Sequence, residues 1–185
     1  MVRREILTFP GTTPNADGSA NQVLKTDASG NLGWATDQGG KIVQVVHAHI
    51  TDHMYSTATS YTDLTGVTAS ITPTSSSNKV LVRFGIHLSS VHNPVIIVNL
   101  LRGSTNIAQP TVTDIYPSTT QMWVDGDRML NMNYEFLDSP STTSSTTYKL
   151  QWRIHSGSYT VKLNGYYNND QYNSTSTMTL QEVSA

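Results

Sequence analysis

Three of the six histidines, His47, His49 and His53, fall in one short stretch. In His47-Ala-His49 strand alternation puts both rings on one face. Around a three-fold axis such a pair from three chains would give six imidazoles, an octahedral set able to hold iron. The alternative is ordinary polar residues on a solvent-facing or inter-subunit strand face. Val43 and Val45 share that face and argue for its burial; buried without metal, the histidines would disfavour assembly when protonated near about pH 6. Carboxylates come next, because glycoside hydrolysis normally needs two carboxyl groups flanking the bond. Asp125, Asp127, Glu135 and Asp138 are the one dense acidic group. Asp125-Gly-Asp127 also reads as a turn, or as half of a calcium site lacking its other ligands, and we take it as a turn. No nucleophile elbow, phosphate-binding glycine loop or zinc motif is present, so no catalytic residue is assigned. The strongest binding signal is aromatic. Tyr166, Tyr167, Asn168, Asn169 and Tyr172 crowd one loop, offering flat stacking faces and adaptable amides for a sugar or a host surface protein. The alternative is packing between subunits or against the sheet. Trp123 is a loop tip if exposed and a core anchor if not, whereas Trp152 belongs to the core.

The elements that position these side chains follow from composition and period. Charged residues make up 13% of the 185-residue chain, about half the usual share, while Ser and Thr together number 47. A chain so poor in charge cannot coat helix faces with Glu and Lys pairs, whereas threonine suits the wet face of a strand. An all-β protein is expected. The net charge is −2 and the basic residues are scattered apart from Arg3-Arg4, so nothing supplies a stripe for a phosphate backbone and nucleic acid is not an expected partner. Cysteine is absent, which excludes disulfides and thiolate chemistry. The longest apolar run, Val95 to Val98, is far short of a membrane span, and no signal-peptide stretch follows Met1; membrane insertion and export are not expected.

Residues 1–40 are rich in turn dipeptides and cannot enclose a core. One hairpin stands out there, Gln22 to Lys25 and Leu32 to Trp34 around Thr26-Asp-Ala-Ser-Gly-Asn31. It is too small to be stable alone and needs copies of itself or another protein. Gly39-Gly40 reads as a hinge. From residue 41 to 185 alternation is strong. Val80, Val82, Phe84, Ile86 and Leu88 share one face, as do Tyr148, Leu150, Trp152 and Ile154. Further strands are expected at Ile42 to Ile50, Tyr61 to Leu64, Val67 to Thr72, Val95 to Leu101, Leu130 to Leu137, Tyr159 to Leu163 and Thr177 to Val183. Val95 to Leu101 is apolar on both sides and so central. Eight or nine strands in this span predict an antiparallel β-sandwich, jelly-roll-like, behind a short hairpin or shaft segment.

Asp17-Gly-Ser-Ala-Asn-Gln-Val-Leu-Lys-Thr-Asp-Ala-Ser-Gly-Asn-Leu-Gly-Trp34 resembles the shaft segment of tail-fibre and related virion proteins of tailed bacteriophages. Gly40 to Val46, Ile71 to Val82, Leu101 to Thr105, Asp138-Ser-Pro140 and Ser176 to Glu182 are similar to the domain that often follows it. The resemblance implies a homotrimer made in the host cytoplasm and built into the virion. Residues 1–40 would dock on another virion protein, with Arg3, Arg4, Ile6, Leu7 and Phe9 in contact, and the sandwich would bind a host-surface glycan or protein. A single shaft repeat implies a short tail fibre mediating host attachment. The alternatives are a capsid decoration or head-fibre protein and, less in keeping with the length, a glycan-cleaving tail enzyme. No cofactor is expected beyond the iron that a His47/His49 cage would hold.

Overall fold

The computed structural model describes residues 11–27, 29–37, 41–90, 92–112, 115–124, 126, 128–168 and 171–185. The chain divides into two compact units, Met1–Gly40 and Lys41–Ala185.

In the first unit β1 (Gln22–Thr26) and β2 (Leu32–Thr36) pair antiparallel, with Leu24 opposite Trp34. Asp27 organises the turn. Its carboxylate accepts from the backbone N–H groups of Ser29 and Asn31 and from the Asn31 side chain, at 2.8 to 2.9 Å. The Asn31 side-chain bond leads the interactions that hold the Asp27 carboxyl below its ordinary range. Gly30, at φ 82°, takes the left-handed position that closes the loop. The Trp34 indole lies against Gly18, where a Cβ would come within 2.5 Å of the ring, and its Nε1 donates to the Ala16 carbonyl. Asp27→Ala is expected to fray this hairpin, read as loss of the Leu24–Trp34 cross-strand nuclear Overhauser contacts in the full chain. Persistence of those contacts would show that the turn does not depend on the carboxylate.

The second unit contains β3 (Ile42–Ile50), β4 (Met54–Ser56), β5 (Thr62–Ile71), β6 (Lys79–Ser90), β7 (Val95–Arg102), β8 (Thr105–Asn106), β9 (Thr120–Trp123), β10 (Arg128–Asp138), β11 (Thr146–Ile154), β12 (Val161–Leu163) and β13 (Ser176–Val183). One sheet runs β3-β13-β6-β10, with β12 and β4 continuing beside the last part of β6. The other runs β5-β11-β7-β9, with β8 at the far end of β7. All pairings are antiparallel, no helix occurs among the described residues, and the strand order of the two facing sheets is that of a jelly roll.

Alternation builds the core. Val80, Val82, Phe84, Ile86 and Leu88 from β6 face Tyr148, Leu150, Trp152 and Ile154 from β11, joined by Met178 and Leu180 from β13. Strand β5 is one element although its sequence reads as two. The inward residues Leu64 and Val67 are three apart because a bulge at Gly66, φ 87°, breaks the period, and the register with β11 jumps there. Strand β7 is central, as expected. Its inner residues enter the core, while Ile97, Asn99 and Leu101 on the outer face are buried outside it. The short strands β4, β8 and β9 carry too few residues for a period to show.

The two ends of the sandwich differ. Lys41 enters at one end, where its backbone exchanges hydrogen bonds with Ser184. At the opposite end the connections between β3 and β5, β6 and β7, β9 and β10, and β11 and β13 come together.

Candidate functional site

The expected aromatic loop lies at that second end. It is a small hairpin rather than a free loop. Gly165 bridges to Asn173, the Tyr166 N–H donates to the Tyr172 carbonyl at 2.8 Å, and the two tyrosine rings meet edge to face at 5.8 Å. Tyr172 is 61% exposed and Asn168 is exposed, while Tyr166 and Tyr167 are half-buried. Asn169 lies outside the described residues.

The hairpin stands on a buried polar base that sequence reasoning missed. Asn164, in a left-handed conformation at φ 61°, donates from Nδ2 to the carbonyls of Ile50 and Asp52 and accepts from the Ser176 hydroxyl at 2.5 Å. The Ser89 hydroxyl donates to the Gly165 carbonyl at 2.6 Å. Lys162 is fully buried; its ammonium donates to the Tyr166 carbonyl and lies 5.2 Å from the Tyr55 ring centre. Such bonding holds the base of the hairpin, Asn164 to Tyr166, in place before any ligand arrives, which lowers the ordering cost of binding there. The one signal was Asn164-Gly165, a turn dipeptide directly after an apolar strand.

Trp123 sits on the same end, at the tip of β9, and is 66% exposed, so it is no core anchor. Beside β9 runs a second aromatic group. The Arg153 guanidinium lies between the rings of Tyr61 and Tyr116, 5.6 and 4.7 Å from their centres, and His155 meets Tyr116 edge-on at 6.0 Å. The Tyr61 hydroxyl donates to the Pro117 carbonyl at 2.8 Å. Burial raises the pKa of this phenol, against the opposing effects of Asn99 and the Arg153 charge. Three separate elements supply this group, so no single stretch of sequence displays it. A cleft of ≈ 480 Å³ adjoins Tyr116, lined also by Ser118, Thr120 and Gln121.

The remaining candidates disperse. His47 and His49 share a face of β3, but that face is exposed, with Val43 at 42% and Val45 at 55%. In the single chain this face is open, so any burial of the two rings would have to come from another chain. The even-numbered residues Val46, Ala48 and Ile50 are the ones that pack on the core. His47 Nδ1 is hydrogen-bonded with the Thr179 hydroxyl at 2.8 Å, leaving Nε2 for any ligand. No three metal-ligating side chains converge among the described residues. Of the acidic group, Glu135 pairs with exposed Arg83 and Asp138 is buried against Arg102 and Tyr148, on opposite faces of β10. Asp125 and Asp127, with Arg3, Arg4, Ile6, Leu7 and Phe9, lie outside the described residues.

No family model matches the sequence, and no curated protein matches it. Among solved structures, the chain is similar to one from the T13 particle of infectious bursal disease virus, at 13% identity and TM-score 0.45, over 81% of this chain and 39% of that one. It is similar to a chain of the Gx strain of that virus at 13% identity and TM-score 0.42, over 87% and 43%. The VP2 subviral particle of the same virus follows at 12% identity and TM-score 0.39, over 82% and 41%. The chain spans about two fifths of the length of those chains.

Proposed function

We propose that this chain is a structural subunit of a bacteriophage virion, a short trimeric tail fibre that attaches the particle to the host surface by binding, without chemistry. One observation carries the reading. The end of the sandwich that holds Lys41, where residues 1–40 join, is the opposite end from the one that gathers Tyr55, Tyr172, Trp123, Tyr116 and His155. The segment preceding Lys41 thus joins the sandwich at the end that carries none of these aromatic side chains.

Self-association is supported by apolar surface. Val45, Gln181, Leu81 and Leu137 form one register row across β3, β13, β6 and β10, flanked by exposed Val43, while Leu24 and Trp34 are exposed on the hairpin. Exposed apolar rows of this kind are commonly covered by another chain. A second reading, capsid decoration, keeps the same anchor and is favoured by the jelly-roll strand order, which viral capsid domains use; it rests on analogy of fold alone.

Adsorption is tested with the full chain carrying Trp123→Ala and Tyr172→Ala together. Both side chains are exposed, so the unfolding midpoint should stay unchanged. Binding to host cells should fall about tenfold or more, the effect of losing aromatic anchors from an interface. Unaltered binding would overturn the assignment of this end.

A further inference from the structure

We infer that the Arg153 cradle, on the outer face of the β5-β11-β7-β9 sheet, is a binding site for a carboxylate-bearing sugar, an inference that rests on reading this end as the one that meets the host. Strand β11 turns Lys149, Gln151 and Arg153 to that outer face, and the first two are already satisfied. Lys149 Nζ and Gln151 Nε2 each donate to the Asp63 carboxylate at 2.8 Å. Arg153 has no such partner. Among the described residues no carboxylate, hydroxyl or carbonyl accepts from it, and its Nε is buried without an acceptor.

A second, only weakly engaged donor lies one register row away. Gln151 pairs with Asn99 and Arg153 with Ile97 across β11 and β7. Asn99 is 1% exposed. Its Oδ1 accepts from Gln109 Nε2 at 3.1 Å and from the Thr119 N–H at 3.2 Å, while its buried Nδ2 lies toward the Tyr61 hydroxyl, whose pKa it lowers, without closing a full hydrogen bond. A buried donor without an acceptor is rare and costly; Arg153 Nε is one, a weakly used amide sits nearby, and the cleft begins at the Tyr116 ring that flanks the guanidinium. The missing chemistry is an acceptor.

The surroundings narrow it. A planar guanidinium matches a planar carboxylate through paired N–H donors. Tyr116 and His155 add aromatic faces on which a pyranose ring can lie, and the cleft that begins at Tyr116 continues with the hydroxyl and amide groups of Thr120 and Gln121. One cation flanked by rings suits a monoanion carried on a sugar ring, such as a uronic or nonulosonic acid.

The test uses the isotope-labelled full chain and D-glucuronate, with D-glucose and acetate as controls. Glucuronate should shift the Arg153 Nε–H and Asn99 Nδ2 resonances saturably, and neither control should do so at equal concentration. Arg153→Lys keeps the charge but loses the planar fork, and should weaken glucuronate binding about tenfold with an unchanged unfolding midpoint. Absence of a saturable shift, an equal response to acetate or to glucose, or an unaffected Arg153→Lys variant would each overturn the site. A chain that adsorbs to host cells yet ignores glucuronate loses this site and keeps the adsorption reading. One that takes glucuronate but does not adsorb loses that reading and keeps the site.

Discussion

Glu182→Gln is expected to lower the stability of the sandwich by about 3 kcal/mol at neutral pH, a large effect for replacing one atom. Glu182 is fully buried on the inner face of β13 at the end where Lys41 enters, with no cation bonded to it among the described residues. Burial disfavours its charge. Four donors outweigh that: Asn78 Nδ2 at 2.6 Å, Gln44 Nε2 at 2.5 Å, and the hydroxyl and N–H of Thr74 at 2.8 and 2.7 Å, holding the carboxyl at about 2. An amide there would turn a donor toward donors. Because the folded pKa lies below the unfolded one, the stabilisation is full above about pH 4.5, declines as pH falls and is lost below about pH 2. Urea unfolding at fixed chain concentration should show a steep loss of stability over that window in the parent chain and a shallow one in Glu182→Gln. Equal acid profiles would place the acid sensitivity elsewhere.

Asp138→Ala should cost a similar amount, about 3 kcal/mol, through a different arrangement. The Asp138 carboxylate is buried at the end of β10, accepting from Arg102 Nη1 at 2.8 and 2.9 Å and from the Tyr148 hydroxyl at 2.7 Å. Burial, and then the Asp138 bond and charge, push the Tyr148 phenol far above its ordinary pKa. Removing the carboxylate strands a fully buried hydroxyl and leaves the half-buried Arg102 guanidinium its 3.2 Å bond to the Ser139 carbonyl. Tyr148→Phe alone removes one bond and should cost about 1 kcal/mol. In the double variant the stranded hydroxyl is gone, so the two losses should sum to more than the measured effect, and strict additivity would contradict the network.

Both clusters show where sequence reasoning reached its limit. Strand identity was legible because burial repeats every second residue. Lys79 to Leu88 and Thr147 to His155 announced the two core strands, and Ile42 to Ile50 matches β3 residue for residue. Alternation gives a face but not its environment, so the stripe of Val43, Val45, His47 and His49 left open whether solvent or another chain lies against it. At Gly66 the bulge split one strand into two apparent ones.

The site divides in the same way. Tyr166 to Tyr172 was visible because its residues are consecutive, and Trp123 because a tryptophan between Met122 and Val124 invites a choice between core and tip. Tyr61, Asn99, Tyr116 and Arg153 come from four places in the chain; the pairings of β11 with β5 and β7 gather Tyr61, Asn99 and Arg153, and the loop bonded to β7 through Thr119 brings Tyr116. Nothing in their local sequence marks Glu182 and Asn164 as buried; the strand ends that enclose them come from elsewhere in the chain.

On the proposed function, residues 1–40 anchor the chain in the virion and the aromatic end of the sandwich faces the host. Electron microscopy of particles assembled with subunits labelled at Tyr172 tests it most directly. Label should be confined to the distal tip of a short fibre on the tail, with none on particles assembled with a chain lacking residues 1–40. Label distributed over the capsid shell, or incorporation unchanged by that deletion, would contradict it.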